Sequence, residues 1–197
     1  MAHRNLSRLK VFVEQFTQLA DQQLPEAEIL QQGSVLLKSL VINDDWLPEE
    51  YAQPHPKFYQ QYLLYADPAS RFSVVSFVWG PGQTTPIHDH TVWGMIGMLR
   101  GSEFSQNYEF AEDGKLLPVG DPVYLHPADI EFVSPRVGDL HKVSNTLADD
   151  VSISIHVYGA NIGAVRRSVY FEDGSAKSFI SGYSNTALPN VWDLSRE

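Results

Sequence analysis

The stretch GQTTPIHDHTVWGMIGMLRG, residues 82–101, places His88 and His90 one residue apart between Gly82 and Gly101. In an extended chain, residues i and i+2 face the same side, with Cα atoms about 6.5–7 Å apart. Two imidazoles at that spacing can converge on one ion through metal–nitrogen bonds of about 2.0–2.2 Å. Taken alone, H-x-H also fits two polar histidines at the end of a strand. The run that follows, Thr91 to Leu99, is uncharged and mainly apolar, and predicts a buried strand near 92–99.

The same texture continues on both sides. Short runs rich in Val, Ile, Phe and Tyr, punctuated by Gly, Pro, Asp and Asn, predict strands near 60–65, 72–79, 103–110, 130–133, 141–145, 151–158 and 164–171. Many short strands at this spacing indicate an antiparallel sandwich or barrel. The first forty residues differ. Leu6, Leu9, Phe12, Val13, Phe16, Leu19 and Ala20 recur at helical steps. A second helix follows Pro25, with Ile29, Leu30, Leu36, Leu37 and Leu40 on its apolar side, Gly33 as a weak point and Asn43, Asp44 and Asp45 as its stop. Residues 46–58 read as a short helical turn and connector. The expectation is one domain over 1–197: a helical segment at 1–58, then a barrel at 59–197. Tyr183, Leu188, Val191, Trp192 and Leu194 are expected to pack the C-terminal segment back onto it.

A second motif follows the first. Pro135 precedes Gly138-x2-His141-x3-Asn145, and the first stretch has the form G-x5-H-x-H-x10-G. Together they resemble the two signature motifs of the cupin superfamily, a mainly-β, double-stranded β-helix (jelly-roll) barrel. The resemblance implies that His88, His90 and His141 hold one metal inside it. One departure bears on charge. The usual cupin first motif adds a glutamate near the positions held here by Gly94 and Met95. Three neutral imidazoles leave a dication uncompensated, which favours an anionic ligand on the metal. Imidazole suits Fe, Zn, Cu and Ni alike.

Residues 151–158, VSISIHVY, alternate with period two. Ser152, Ser154, His156 and Tyr158 share one face, and Ile153, Ile155 and Val157 the other. The polar face can meet solvent, or it can form a Ser-His-Tyr relay inside a barrel. With the three histidines, this strand is similar to the cysteine dioxygenase type of thiol dioxygenase. QQYLLY, FSVVSFVWGPG, VWGMIGMLRG, SISIHVYGANIGAVRR and FISGYSN resemble the bacterial 3-mercaptopropionate dioxygenases over nearly the whole chain. The resemblance implies one Fe(II) per chain on His88, His90 and His141, with Ser154, His156 and Tyr158 around it. It implies O2-dependent oxidation of a small thiol to a sulfinic acid. Arg167 would pair with the substrate carboxylate, its neighbour Arg166 facing the other way. Gln61 falls where cysteine-selective relatives carry an arginine; Gln60 and Tyr62 are the alternatives across a one-residue length difference. Animal cysteine dioxygenases join the matching tyrosine to a cysteine. This chain has no cysteine, so Tyr158 is an unmodified phenol.

Composition narrows the partners. The formal net charge is −10, which repels nucleic acid and anionic lipid. Without cysteine there is no disulfide, thiolate metal site or cysteine nucleophile. MAHRNLSRLKVF lacks the apolar core of a secretory signal, so the cytoplasm is the expected compartment. His3, His55 and His126 are read as surface or turn residues. Trp79, Trp93, Phe77 and Met98 are read as barrel core, Asp89 as facing away from its two histidine neighbours, and Asp121, Asp129 and Glu131 as ordinary surface carboxylates. Three competing readings remain open: a cysteine dioxygenase proper, a non-catalytic metal-binding cupin, and a zinc-dependent hydrolase or isomerase.

Overall fold

The computed structural model describes residues 6–186. Two helices open it, α1 (Ser7–Asp21) and α2 (Glu26–Val41), and a 3-10 turn at Glu49–Tyr51 follows. Next come β1 (Gln60–Ala66), β2 (Ser73–Trp79), β3 (Ile87–His88), β4 (Gly94–Arg100), β5 (Glu103–Phe110) and β6 (Leu116–Leu125). The remaining strands are β7 (Ile130–Val133), β8 (His141–Asn145), β9 (Ser152–Tyr158), β10 (Arg167–Tyr170) and β11 (Ala176–Phe179). They form two sheets, ordered β1-β2-β9-β4-β7 and β11-β10-β3-β8-β5-β6, with antiparallel pairings throughout. The result is the mainly-β double-stranded β-helix that the two motifs imply. The expected packing of Leu188, Val191, Trp192 and Leu194, and the position of His3, lie outside the described residues.

The strand β9 shows why both faces of the five-stranded sheet are buried. All seven of its residues are buried. Ile153, Ile155 and Val157 join a core with Phe12 and Phe16 of α1 and Leu30, Leu37 and Leu40 of α2. The helices therefore cover the apolar outer face, and the polar face is left to line the barrel interior. That interior holds Leu63, Val75, Phe77, Trp79, Ile96 and Met98 from one sheet and Leu125 and Val143 from the other. Gly33 is what lets α2 lie close to the sheet. A Cβ there would meet Met95 Cε at 2.8 Å and Phe16 Cε2 at 2.9 Å. The close approach offsets the roughly 1 kcal/mol that glycine costs a helix interior.

Several expectations need correction. Trp93 packs against the core under the helices, with its ring 6.2 Å from Phe16, not inside the barrel. β6 and β11 were not expected as strands. Both lie at the far ends of the six-stranded sheet. β6 contains Pro118, Gly120 and Pro122, which an edge tolerates and a central strand does not. Extended structure around the histidine pair covers only Ile87–His88. Thr91, just after His90, has φ of 61°, so the chain turns there. None of the described helices is long and apolar enough to cross a membrane.

Candidate metal centre

His88 and His141 are direct cross-strand partners between β3 and β8, which sets their rings side by side. His90 lies beyond the end of β3, so the pleat does not aim it. Asp139 does. Its Oδ1 accepts the His90 backbone N–H and lies 2.9 Å from His90 Nδ1, while Oδ2 accepts the Thr91 N–H. The three rings stand 4.8, 4.8 and 4.9 Å apart, centroid to centroid. One nitrogen from each lies within 4.8 Å of the others.

The outer contacts indicate which nitrogens face the centre. His88 Nδ1 donates to the Pro86 carbonyl at 3.1 Å, since a carbonyl only accepts. His90 Nδ1 pairs with the Asp139 carboxylate, and His141 Nδ1 lies 3.3 Å from Ser105 Oγ. With every Nδ1 engaged, the three Nε2 lone pairs are left for an ion. This is the outer support that metal-bound histidines need. Burial, above all other causes, pushes the His88 imidazole down to about 4 and those of His90 and His141 well below their usual value. All three are neutral near pH 7 and ready to bind a cation. The set fits a divalent metal with three nitrogen donors.

The remaining predicted residues surround the cluster. Ser154 Oγ lies 2.8 Å from His156 Nε2, and His156 Nδ1 lies 2.8 Å from Tyr158 Oη, so the row forms a continuous hydrogen-bonded chain. Phe77 stacks on His156 at 4.0 Å between centroids, and Tyr158 stacks on His90 at 5.5 Å. Burial depresses His156 to about 3 and raises the Tyr158 phenol above its usual value, so both are neutral. Gly94 makes room for the phenol. A Cβ there would lie 2.8 Å from Tyr158 Cδ1 and from Val133 Cγ2. Arg167 is 4% exposed, whereas Arg166 points to solvent. Its Nη2 donates to Ser181 Oγ at 2.6 Å and its guanidinium lies 4.8 Å from the Phe179 ring centre. Its Nε is buried without a hydrogen-bond partner.

Gln61 sits on β1 opposite Phe77, on the strand face shared with Leu63 of the barrel interior. Gln60 bonds the Phe58 and Tyr59 carbonyls, and the Tyr62 hydroxyl bonds the Gln53 carbonyl. Asp89 turns away from the centre and accepts from Ser168 N–H and the Tyr170 hydroxyl, tying the histidine turn to β10. Asp139 was missed; the only signal was its place between Gly138 and His141. Glu131 corrects an expectation. It is half-buried, with Oε2 buried, and burial raises it to about 7, so it is no ordinary surface carboxylate. Glu103, buried completely and raised to about 8 by desolvation, was also missed.

Solved structures resemble this chain at low identity. A protein with a double-stranded β-helix domain from Klebsiella pneumoniae subsp. pneumoniae MGH 78578 is 17% identical, covering 68% of this chain and 87% of its own, at a TM-score of 0.46. A cupin superfamily protein from Desulfitobacterium hafniense DCB-2 is 11% identical, covering 60% and 93%, at 0.44. A cupin-2 domain from Rhodospirillum rubrum is 12% identical, covering 61% and 72%, at 0.45. The sequence comparison is more specific: the family model for cysteine dioxygenase type I matches residues 7–168, so this chain belongs to the cysteine dioxygenase type I family.

Proposed function

We propose that the chain uses Fe(II) and O2 to oxidise a small carboxylated thiol, with 3-mercaptopropionate favoured, to its sulfinic acid. The observation that carries this reading is a buried cation with an unpartnered donor, Arg167, near enough to the three-histidine centre for its charge to act on His88 and His90. A buried guanidinium without an anion is costly, and a carboxylate ligand would relieve it. When bound at His88, His90 and His141, Fe(II) supplies a site for sulfur and the redox chemistry that joins both atoms of O2 to it.

The protein's own groups do the rest. Arg167, held by Ser181 and Phe179, takes the substrate carboxylate and fixes its direction. Asp89 keeps β10, and with it Arg167, in register with the histidines. Tyr158 offers its hydroxyl to the pocket, oriented by His156 and Ser154. Phe77, Trp79 and Ile96 exclude bulk water. Gln61 adds no second cation to the inner wall, which suits a substrate with a single carboxylate. The matched family's description favours L-cysteine as a second reading.

The test is O2 uptake by the Fe(II)-loaded chain with 3-mercaptopropionate and L-cysteine. A higher kcat/KM for 3-mercaptopropionate is expected, and preference for cysteine would overturn the substrate assignment. No uptake with any thiol would favour a non-catalytic metal protein. Turnover without O2 would favour the zinc-dependent hydrolase or isomerase.

A further inference from the structure

The Ser154–His156–Tyr158 chain does not stop at Ser154. Behind it lies Glu103, the first residue of β5, with 0% exposure and neither carboxyl oxygen hydrogen-bonded. The hydroxyls of Ser154 and Ser152 act on it as donors that favour its ionised form, but neither completes a bond of good geometry. Glu131 Oε2 and Ser152 Oγ are likewise buried without partners. A pair of buried carboxyls behind a relay is expensive unless one of them carries a proton.

We propose that Glu103, held beside Glu131, is a positioning residue at the inner end of a four-group proton wire, Glu103–Ser154–His156–Tyr158, and sets which way the Tyr158 hydroxyl points. This rests on the reading that Tyr158 faces the substrate. Hydrogen-bond accounting gives the wire two complete states. With Glu103 protonated, its O–H donates to Ser154, Ser154 donates to His156 Nε2, and His156 Nδ1–H donates to Tyr158 Oη. The phenol proton is then free to point into the pocket. With Glu103 ionised, Ser154 donates to the carboxylate, His156 Nε2–H donates to Ser154, and Tyr158 donates inward to Nδ1. The pocket then meets only phenol lone pairs. Trp79 Nε1, 3.5 Å from Ser154 Oγ, can donate in either state.

The two states differ by one proton moved along the wire. Tyr158 releases its proton to the pocket, and Nδ1–H, the Ser154 proton and the Glu103 proton each move one place to follow. No electron moves. Three observations favour the protonated state near neutrality. Burial raises Glu103 to about 8. Glu131 from β7 adds a like charge that pushes Glu103 in the same direction. His156 on β9, and His141 beyond Ser105 on β8, are neutral and do not oppose it.

The His156 tautomer is a readout that needs no catalysis. It is followed by imidazole 15N NMR on the full-length chain, both metal-free and with diamagnetic Zn(II), and assigned against a His156→Gln spectrum. The wild-type chain should carry the proton on Nδ1 at neutral pH and move it to Nε2 as pH rises past about 8. Glu103→Gln, which cannot ionise and still donates to Ser154, should hold Nδ1–H throughout. Glu131→Gln should switch at lower pH than the wild type, and it decides the matter if Glu103→Gln fails to fold. A wild-type tautomer that never switches, a Glu103→Gln chain that switches like the wild type, or an unmoved Glu131→Gln midpoint would each overturn the proposal. In O2 uptake assays, Glu103→Gln should also lose the part of the alkaline decline that the wild type owes to the switch. If no thiol is oxidised but the tautomer follows Glu103, the functional reading fails and the wire stands.

Discussion

Under the proposed function, Tyr158 and Arg167 divide the pocket's work, and their variants should fail differently. Tyr158→Phe removes the hydroxyl that bonds His156 and keeps the ring that stacks on His90. Its kcat should fall by about 10²-fold, the low end for a positioned proton-transfer group, while iron content by elemental analysis stays near one per chain. Lost iron would contradict the role assigned to the phenol. Arg167→Ala should raise KM for a carboxylated thiol by roughly tenfold or more, since a charge-assisted hydrogen bond contributes about 1.5–3 kcal/mol. A thiol lacking a carboxylate should show no such change. An unchanged KM for the carboxylated thiol would remove Arg167 from the substrate site.

At the scale of elements, the centre depends on short connections more than on regular strands. β3 is two residues long, and His90 is aimed by Asp139 beyond its end. Asp139→Asn keeps the shape but weakens the acceptor for His90 Nδ1–H. Metal affinity, measured by chelator competition, should fall by about 10- to 100-fold, as is typical for such outer partners. Gly94 plays the matching part on β4. Gly94→Ala places a methyl group against the Tyr158 ring and Val133. Overpacking of this kind costs about 1–3 kcal/mol, a Tm loss of several degrees by calorimetry. An unchanged Tm would mean that the ring has room to move.

Across the whole molecule, the buried histidines and carboxyls set opposing pH limits. His88 and His156 have folded-state values near 4 and 3, below that of an unfolded histidine. The unfolded chain therefore binds more protons as pH drops below about 6.5, and stability falls with it. Glu103 and Glu131 have folded-state values near 8 and 7, above the ordinary carboxyl. The stability they contribute is present at low pH and is lost as pH rises from about 4.5 towards 8. The metal-free chain should accordingly show its highest Tm between about pH 5 and 6.5. Adding Fe(II) anaerobically should raise Tm near neutrality, and that gain should shrink as pH falls, because metal binding needs neutral imidazole. Thermal scans across pH test both limits, and a Tm that keeps rising above pH 7 would contradict the carboxyl assignment.

Period and spacing along the chain were enough to show the two helices, the central strands, the three histidines and the polar row on β9, because those patterns are local. Burial and charge at a distance are not local. Alternation alone could not tell whether Ser154, His156 and Tyr158 faced water or the interior; that was settled by the helices packing on Ile153, Ile155 and Val157. Nor could it reveal Asp139 steering His90, or Glu103 and Glu131 meeting behind Ser154, since these groups come together only when the strands pair across long stretches of sequence. The chain on its own carried the residues of the centre. The fold decided their protonation, because desolvation acts on where a group ends up and not on its neighbours in sequence.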